Sequence, residues 1–320
     1  MSTPTHPALD RDTLYAKSQV YIRRGFRAQS AKDNEEYQLW ASLSLELLGK
    51  AALAHVHPAL VADPQHYQSV FAACGRQISS DTRTITAKTL YSRLGHLEKA
   101  FDKRHQEFCN QISIRRNSEL HSGESPFSGM SAEAWEREFW GAAVTLLEMQ
   151  GETLESWLGT EEAKAPAKIA EQAEKALEWG VKARVTRFKE DFEKSHQDPE
   201  IRKTTREDSI KLQSIDLNWD SSQRATCPAC QSHGFLWGTL WGEEVVDTED
   251  GWSGIDETGE VYEEWPMETV EKSFSVEAFW CPVCQLKLYG TKEIASAELP
   301  DEFTHTDVRE LEYEPDYGND

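Results

Sequence analysis

Apolar residues recur at spacings of three and four through the first half of the chain, the repeat of an amphipathic helix. One such face, preceded by Asn34 as a candidate N-cap, comprises Trp40, Leu43, Leu47, Ala51 and Ala54. Similar patterns predict helices over 13–31, 65–78, 86–93, 97–120 and 131–149. Together they predict a mainly α helical bundle over residues 12–160.

A second apolar stripe follows Pro166, a residue type that favours the first turn of a helix. Residues from Ile169 to Phe192 repeat at helical spacing, which predicts one long helix that serves as a connector or a dimer arm. The polar stretch 196–215 is expected to be a linker, so residues 161–215 form a long helix and linker.

The pattern changes after residue 216, where tryptophan, glycine and β-branched residues replace alanine and leucine. Phe235–Trp241 and Ser273–Trp280 read as strands, and the acidic stretch 247–264 as a loop or loose hairpin. This predicts a smaller β-rich domain over 216–297. The acidic tail 298–320 is expected to be partly disordered.

The N-terminal and C-terminal parts of the chain also differ in their balance of basic and acidic residues. Residues 1–205 hold 27 Lys/Arg and 29 Asp/Glu, whereas residues 206–320 hold 7 and 27, within a net charge of −22. The acidic part repels nucleic acid, so RNA contacts are expected in the N-terminal part. The acidic domain is expected to dock a protein partner or to occupy a basic RNA groove. With no long apolar run and no secretion signal, we expect a cytoplasmic protein without a membrane span.

Two cysteine pairs share one form, Cys227-Pro-Ala-Cys230 and Cys281-Pro-Val-Cys284. Two such turns can supply the four thiolates of a tetrahedral site, which predicts a structural zinc ion and resembles the zinc-ribbon class. The pairs lie 50 residues apart, against about 15–20 in common ribbons. The alternatives are unrelated surface thiols or redox use, with His233 as a competing ligand. Cys74 and Cys109 are expected to be buried core thiols.

The segment from Ser113 to Glu124 carries a second signal. Arg116 and His121 are separated by four residues, with Asn117 beside the arginine, where a helix meets a glycine-containing loop. When the RNA 2′-hydroxyl attacks the adjacent phosphate, histidine can move the protons because its pKa of about 6.5 lies near cellular pH. Arginine donates paired hydrogen bonds to phosphate oxygens, and Asn117 can hold a phosphate oxygen or orient the histidine.

Arg116-Asn117-x-x-x-His121 resembles the Arg-polar-x-His signature of HEPN-domain ribonucleases. The helix from Trp40 to Leu53, with Glu46 and Lys50 inside it, is similar to an early HEPN helix. The resemblance covers residues 12–160. It implies a homodimer with a composite site, metal-independent cutting that leaves a cyclic phosphate, and a role in bacterial toxin–antitoxin or antiphage systems.

Several alternatives remain open. Arg115 fits the signature as well as Arg116, and Glu46 and Lys50 also fit a simple helix ion pair. His121 can be a loop histidine that caps a helix end, with Arg116 in a surface salt bridge. The chain would then be a non-catalytic dimeric scaffold that binds a protein partner through its zinc module.

Overall fold

A computed structural model describes residues 6–213, 219–255 and 261–311. The chain divides into two compact units, residues 1–180 and 181–320. The first is built from helices, and the second contains an antiparallel sheet. The coarse prediction of a helical N-terminal part followed by a smaller sheet domain is therefore confirmed.

The helices of the first unit surround one apolar core. They are α1 (Arg11–Ser30), α2 (Asn34–Val56), α3 (Tyr67–Ala73), α4 (Ala87–Leu97), α5 (Lys103–His121), α6 (Glu136–Glu148), α7 (Leu154–Leu158) and the start of α8 (Thr160–Ser195). The central helix is α2, which packs against α1, α4, α5 and α6. Tyr37, Ala41, Leu45 and Leu48 lie at helical spacing on α2, are fully buried and form the core-facing side of this helix. The face predicted from the sequence is shifted from this one: Trp40, Leu43 and Leu47 are only partly buried, and of its five residues only Ala51 and Ala54 are buried.

The predicted helix 97–120 is confirmed over 103–120 but is wrong over 97–102, where the chain breaks between two helices. Helix α4 ends at Leu97, and Glu98 has an extended backbone. The Asp102 side chain then accepts a hydrogen bond from the His105 amide and caps α5. Phe101 is fully buried between the two helices. A buried aromatic anchor followed by an N-cap ends one helix and begins another.

Other helix ends differ from the predictions. Asp33, rather than Asn34, caps α2 by accepting from the Glu36 amide. The predicted helix 65–78 is shorter because Gly75 takes a φ of 79°. The long helix does not begin at Pro166: α8 already starts at Thr160, after Gly159 with a φ of 98°.

The predicted linker 196–215 is wrong in its middle, where α9 (Pro199–Asp208) forms. Asp198 caps this helix by accepting from the Glu200 amide, and Pro199 occupies its first position. Proline is favoured there because its missing N–H would have no helical partner. The last two residues of the predicted linker, 214 and 215, lie outside the described residues.

The second unit holds a five-stranded antiparallel sheet in its described part. Its strands are β1 (Ser221–Thr226), β2 (His233–Glu249), β5 (Met267–Trp280), β6 (Lys287–Tyr289) and β7 (Glu302–Glu310), and a separate hairpin is formed by β3 (Trp252–Ile255) and β4 (Val261–Glu264). Strands β2 and β5 pair along most of their length, β1 flanks β2, and both β6 and β7 pair with β5. The short helix α10 (Thr291–Ser296) connects β6 to β7.

The acidic tail was expected to be partly disordered from residue 298, and this is wrong for 302–310. That segment is β7, and it pairs residue by residue with 267–275 of β5. Phe303 helps to anchor this strand to β5, because its ring is buried and stacks on Phe274 with 5.1 Å between centroids. The rest of the tail, 312–320, lies outside the described residues. None of the helices in the described part of the chain has the length and apolarity of a membrane crossing.

Candidate functional sites

The four cysteines of the two CxxC pairs come together at one end of the sheet. Their sulfur atoms all lie within 4.8 Å of one another. The Sγ atoms of Cys227 and Cys284 are 3.6 Å apart, and those of Cys230 and Cys281 are 3.5 Å apart. Tetrahedral ligands at about 2.3 Å from zinc lie about 3.8 Å from each other. The thiols therefore fit one four-coordinate metal ion.

Both cysteine turns have the same backbone geometry. The Cys227 amide donates to the Ser232 carbonyl at 2.8 Å, and the Cys281 amide donates to the Leu286 carbonyl at 2.9 Å. Gln231 and Gln285, each directly after a second cysteine, have φ values of 63° and 66°. This left-handed residue turns the chain back into the next strand. The repeated conformation indicates two halves of one preformed site.

The long spacing between the pairs follows from the sheet. The first turn joins β1 to β2, and the second joins β5 to β6. Phe235 near the start of β2 pairs with Trp280 at the end of β5, which places the turns side by side. From these paired ends, β2 and β5 (17 and 14 residues long) run away from the site, and the segment that connects them contains the β3–β4 hairpin. The insertion thus lengthens the sheet without separating the ligands.

The remaining candidate ligands stay outside this cluster. His233 starts β2 and is not among the grouped metal-ligand residues of the described chain. Cys109 is fully buried, as predicted, and burial raises the pKa of its thiol. The prediction for Cys74 is wrong, because this thiol is exposed at the end of α3.

The second candidate site joins two segments that lie far apart in sequence. Arg116 on α5 forms an ion pair with Glu46 on α2 through its Nη1 atom. The other carboxylate oxygen of Glu46 accepts from Lys50 Nζ at 2.8 Å. The side chains of Arg116, Lys50 and Glu46 are only 10%, 11% and 16% exposed. Helix α2, which carries Glu46 and Lys50, and helix α5, which carries Arg116, therefore meet at one largely buried charge cluster, which we call the Glu46 cluster (Glu46, Lys50, Arg116).

Arg116 also donates hydrogen bonds to Asn117, its neighbour in sequence. Its Nε and Nη2 atoms both donate to the Oδ1 atom of Asn117, at 3.2 and 2.8 Å. The amide oxygen of Asn117 is thus fixed, and its N–H groups are left at the exposed surface. Arg115 points elsewhere, with Nη1 2.9 Å from the Met130 sulfur. Arg116, not Arg115, is the arginine of the Glu46 cluster.

His121 is the last residue of α5, and it is exposed. Within the described chain its side chain makes no hydrogen bond or ion pair. Residues four apart share a helix face, so His121 lies one turn beyond Asn117 on the same side. Arg116 lies five positions before His121, about 140° away around the helix axis. The structure thus groups Asn117 with His121 at the surface and Arg116 with Glu46 inside.

Some residues of this region gave no signal in the sequence. Thr84 accepts a hydrogen bond from Lys50 at 3.1 Å, although it lies in a loop with no recognisable motif. Tyr91 of α4 is fully buried near the same charges, and burial raises the pKa of its phenol. The positions of Thr84 and Tyr91 near this cluster depend on how α2 packs against neighbouring segments, which the local sequence does not encode.

Burial by itself would raise the pKa of Glu46, but the charges of Lys50 and Arg116 hold it below its usual value of 4.5. A lowered folded-state pKa adds stability above the unfolded-state value, and this stability is lost as pH falls through the folded-state pKa. Glu46→Gln is therefore expected to lower the free energy of unfolding by roughly 3 kcal/mol at neutral pH. The deficit should shrink below pH 4.5.

Urea unfolding at neutral pH and at a pH below 4.5, monitored by the circular dichroism of the helices, measures this effect. Glu171→Gln removes an exposed ion pair with Lys175 and serves as the control, with no change expected. A deficit for Glu46→Gln that is equal at both pH values would show that the ion pair does not stabilise the fold.

No family model, no curated protein and no solved structure matches this chain. Inferences about function therefore rest on the residues and geometry described above.

Proposed function

We propose that the N-terminal unit is a metal-independent endoribonuclease of the HEPN type that acts as a homodimer. The observation that carries the proposal is the Glu46–Arg116 ion pair, between residues 70 positions apart. It joins the two segments on which the HEPN resemblance rests, the helix with Glu46 and Lys50 and the Arg116-Asn117-x-x-x-His121 stretch. Two independent motifs that meet at one place support a shared site more strongly than either does alone.

The geometry divides the chemistry among three residues. Arg116 is a positioning residue because its guanidinium is held by Glu46 and fixes the Asn117 amide. The free N–H groups of Asn117 can donate to a phosphate oxygen. His121, one turn away and exposed, can take the proton from the 2′-hydroxyl or give one to the leaving 5′-oxygen. The 2′-oxygen forms the bond to phosphorus as the 5′-oxygen bond breaks, which leaves a cyclic phosphate.

A dimer supplies the second proton-transfer group. The reaction needs a base at the 2′-hydroxyl and an acid at the 5′-oxygen, and the motif offers one histidine per chain. Two copies of the Asn117–His121 surface that face each other across a dimer interface would provide both. This composite site is part of the proposal and is the reason for the homodimer.

In the C-terminal unit, the four cysteines would hold a structural zinc ion with no open coordination position for catalysis. The sheet it stabilises is strongly acidic, so we assign this unit to restraining the nuclease or to recruiting a protein partner. A nuclease under such restraint fits a toxin or antiphage defence system in the cytoplasm.

The purified full-length protein is expected to cut mixed RNA in buffer without divalent metal, because proton transfer and hydrogen bonds supply the catalysis. The products should carry 2′,3′-cyclic phosphate ends, which end-specific enzymatic labelling detects. Zinc content measured before and after incubation ensures that the C-terminal unit is intact. Cutting that requires added magnesium, or that leaves 5′-phosphate ends, would contradict the proposal.

The burial of Arg116 favours a second candidate, a non-catalytic dimeric scaffold in which the Glu46 cluster only stabilises the bundle. The zinc module would then bind a protein partner. This candidate predicts no RNA cleavage under any of these conditions.

A further inference from the structure

A cavity of about 380 Å³ lies in the first unit beside the Glu46 cluster. Its polar lining comprises His6, Thr13, Lys17, Lys50 and Thr84. Carboxylates contact two of these residues from outside the lining, since Asp10 accepts from the Thr13 hydroxyl at 2.6 Å and Glu46 pairs with Lys50. Lys50 belongs both to this lining and to the ion pair with Glu46. We call this space the phosphate cavity (His6, Lys17, Lys50, Thr84).

Four groups in the cavity are able to donate hydrogen bonds. The Nδ1 atom of His6 accepts from the Ala8 amide at 3.2 Å, so in the neutral ring the proton lies on Nε2. Thr84 accepts from Lys50 and keeps its own hydroxyl hydrogen, while Lys50 retains a third N–H. Lys17 is exposed and has no ion pair within the described chain. The unpaired ammonium of Lys17, together with the remaining N–H of Lys50 and two neutral donors, favours a phosphate group.

Next to the cavity, positively charged and aromatic side chains form a strip on the surface. Lys17, Tyr21 and Arg24 lie at spacings of four and three on α1, and therefore on one face. The Lys17 ammonium is 5.7 Å from the Tyr21 ring. The Arg24 guanidinium is 4.7 Å from the centroid of the Trp40 ring. The centroids of the Tyr21 and Trp40 rings are 5.3 Å apart. Alternating cations and partly exposed rings are typical of surfaces that hold single-stranded nucleic acid.

From these contacts we propose that the first unit binds single-stranded RNA along α1, with one phosphate in the phosphate cavity and adjacent bases on Tyr21 and Trp40. The inference rests on the proposed function and assigns that nuclease a substrate-binding surface outside the Asn117–His121 pair. Lys50 connects the two places, because the same side chain lines the cavity and pairs with the carboxylate that holds Arg116.

The test measures binding separately from cleavage. Full-length His121→Ala protein is titrated against a short fluorescent single-stranded RNA, and fluorescence anisotropy gives Kd. Adding Lys17→Glu is expected to weaken binding roughly tenfold or more, since a charged hydrogen bond to phosphate becomes a repulsion. Lys168→Glu makes the same charge change at an exposed α8 position outside the strip and should leave Kd unchanged. Helix content measured for each variant confirms folding.

Salt dependence and competitors identify the ligand. Lys17→Ala should reduce the slope of log Kd against log salt by about 0.7, the value for one phosphate contact on a single strand. Inorganic phosphate and a mononucleotide should compete only weakly. Equal Kd values for Lys17→Glu and Lys168→Glu would overturn the proposal, as would a mononucleotide that binds as tightly as the RNA. RNA binding lost in Lys17→Glu, in a protein whose wild type cuts nothing, would support this surface and reject the nuclease.

Discussion

Replacing His121 with alanine is expected to slow RNA cleavage by about 10²–10⁴-fold, the usual contribution of a general acid or base. The side chain is exposed at the end of α5 and makes no hydrogen bond or ion pair within the described chain that the substitution would remove. The variant should therefore unfold at the same temperature as the wild type. Initial rates on one defined RNA, measured together with thermal unfolding, separate the two effects.

His96→Ala is the matched control for this experiment. His96 is also exposed and also lies in the last turn of a helix, α4, within the same unit. It should cut RNA at the wild-type rate. If His121→Ala retains full activity, His121 is only a surface residue at a helix end. If both variants lose activity equally, the loss has a cause other than proton transfer at His121.

Replacing Cys281 with serine is expected to unfold the sheet of the second unit and to release its metal. Structural zinc contributes about 10–16 kcal/mol of binding free energy in small zinc modules, and that energy is also folding energy. Cys281 is fully buried between two strands, so a poorer ligand there affects both the metal and the packing. Mass spectrometry of the native protein should give one zinc ion per wild-type chain and none for Cys281→Ser.

Cys74→Ser is the control because this cysteine is exposed and belongs to the other unit. It should keep both the zinc ion and the tryptophan fluorescence of the wild type. A Cys281→Ser protein with native fluorescence would show that the sheet folds without the metal. The four thiols would then be close neighbours with no structural ion.

The cysteine site was predictable because its information is local. Each Cys-Pro-x-Cys turn encodes its own geometry, and two such turns in one acidic domain leave little choice of partner. What the sequence could not reveal was the path between them. The sequence predicted only two short strands and, between them, an acidic loop or loose hairpin, because like charges along a strand weaken its apolar alternation.

The Glu46 cluster was not predictable in this way, because it depends on contacts between residues far apart in sequence. The sequence marked Arg116, Asn117 and His121 as one group, but helix geometry sends Arg116 inward and leaves the other two at the surface. We therefore propose Arg116 as a positioning residue rather than as a direct phosphate ligand. Which residue on another helix would receive the guanidinium depends on packing across 70 positions, and no local pattern encodes it.

Helix ends were the least predictable feature for the same reason. The break between α4 and α5 is set by the burial of Phe101 and the Asp102 cap, and both lie within an apparently continuous apolar repeat. Strand β7 was missed because its sequence is acidic, although the buried Phe303 packs against Phe274 of the neighbouring strand. In each case one buried aromatic residue outweighed the average character of the segment.

The most direct test of the proposed nuclease uses an RNA that carries a single 2′-deoxyribonucleotide at a mapped cleavage position. The account predicts that this linkage is no longer cut while the other mapped linkages are cut at their normal rates, because the attacking 2′-hydroxyl is missing at one place only. Continued cutting at the deoxy position would mean that water, not the RNA itself, is the nucleophile, and it would contradict the HEPN-type mechanism.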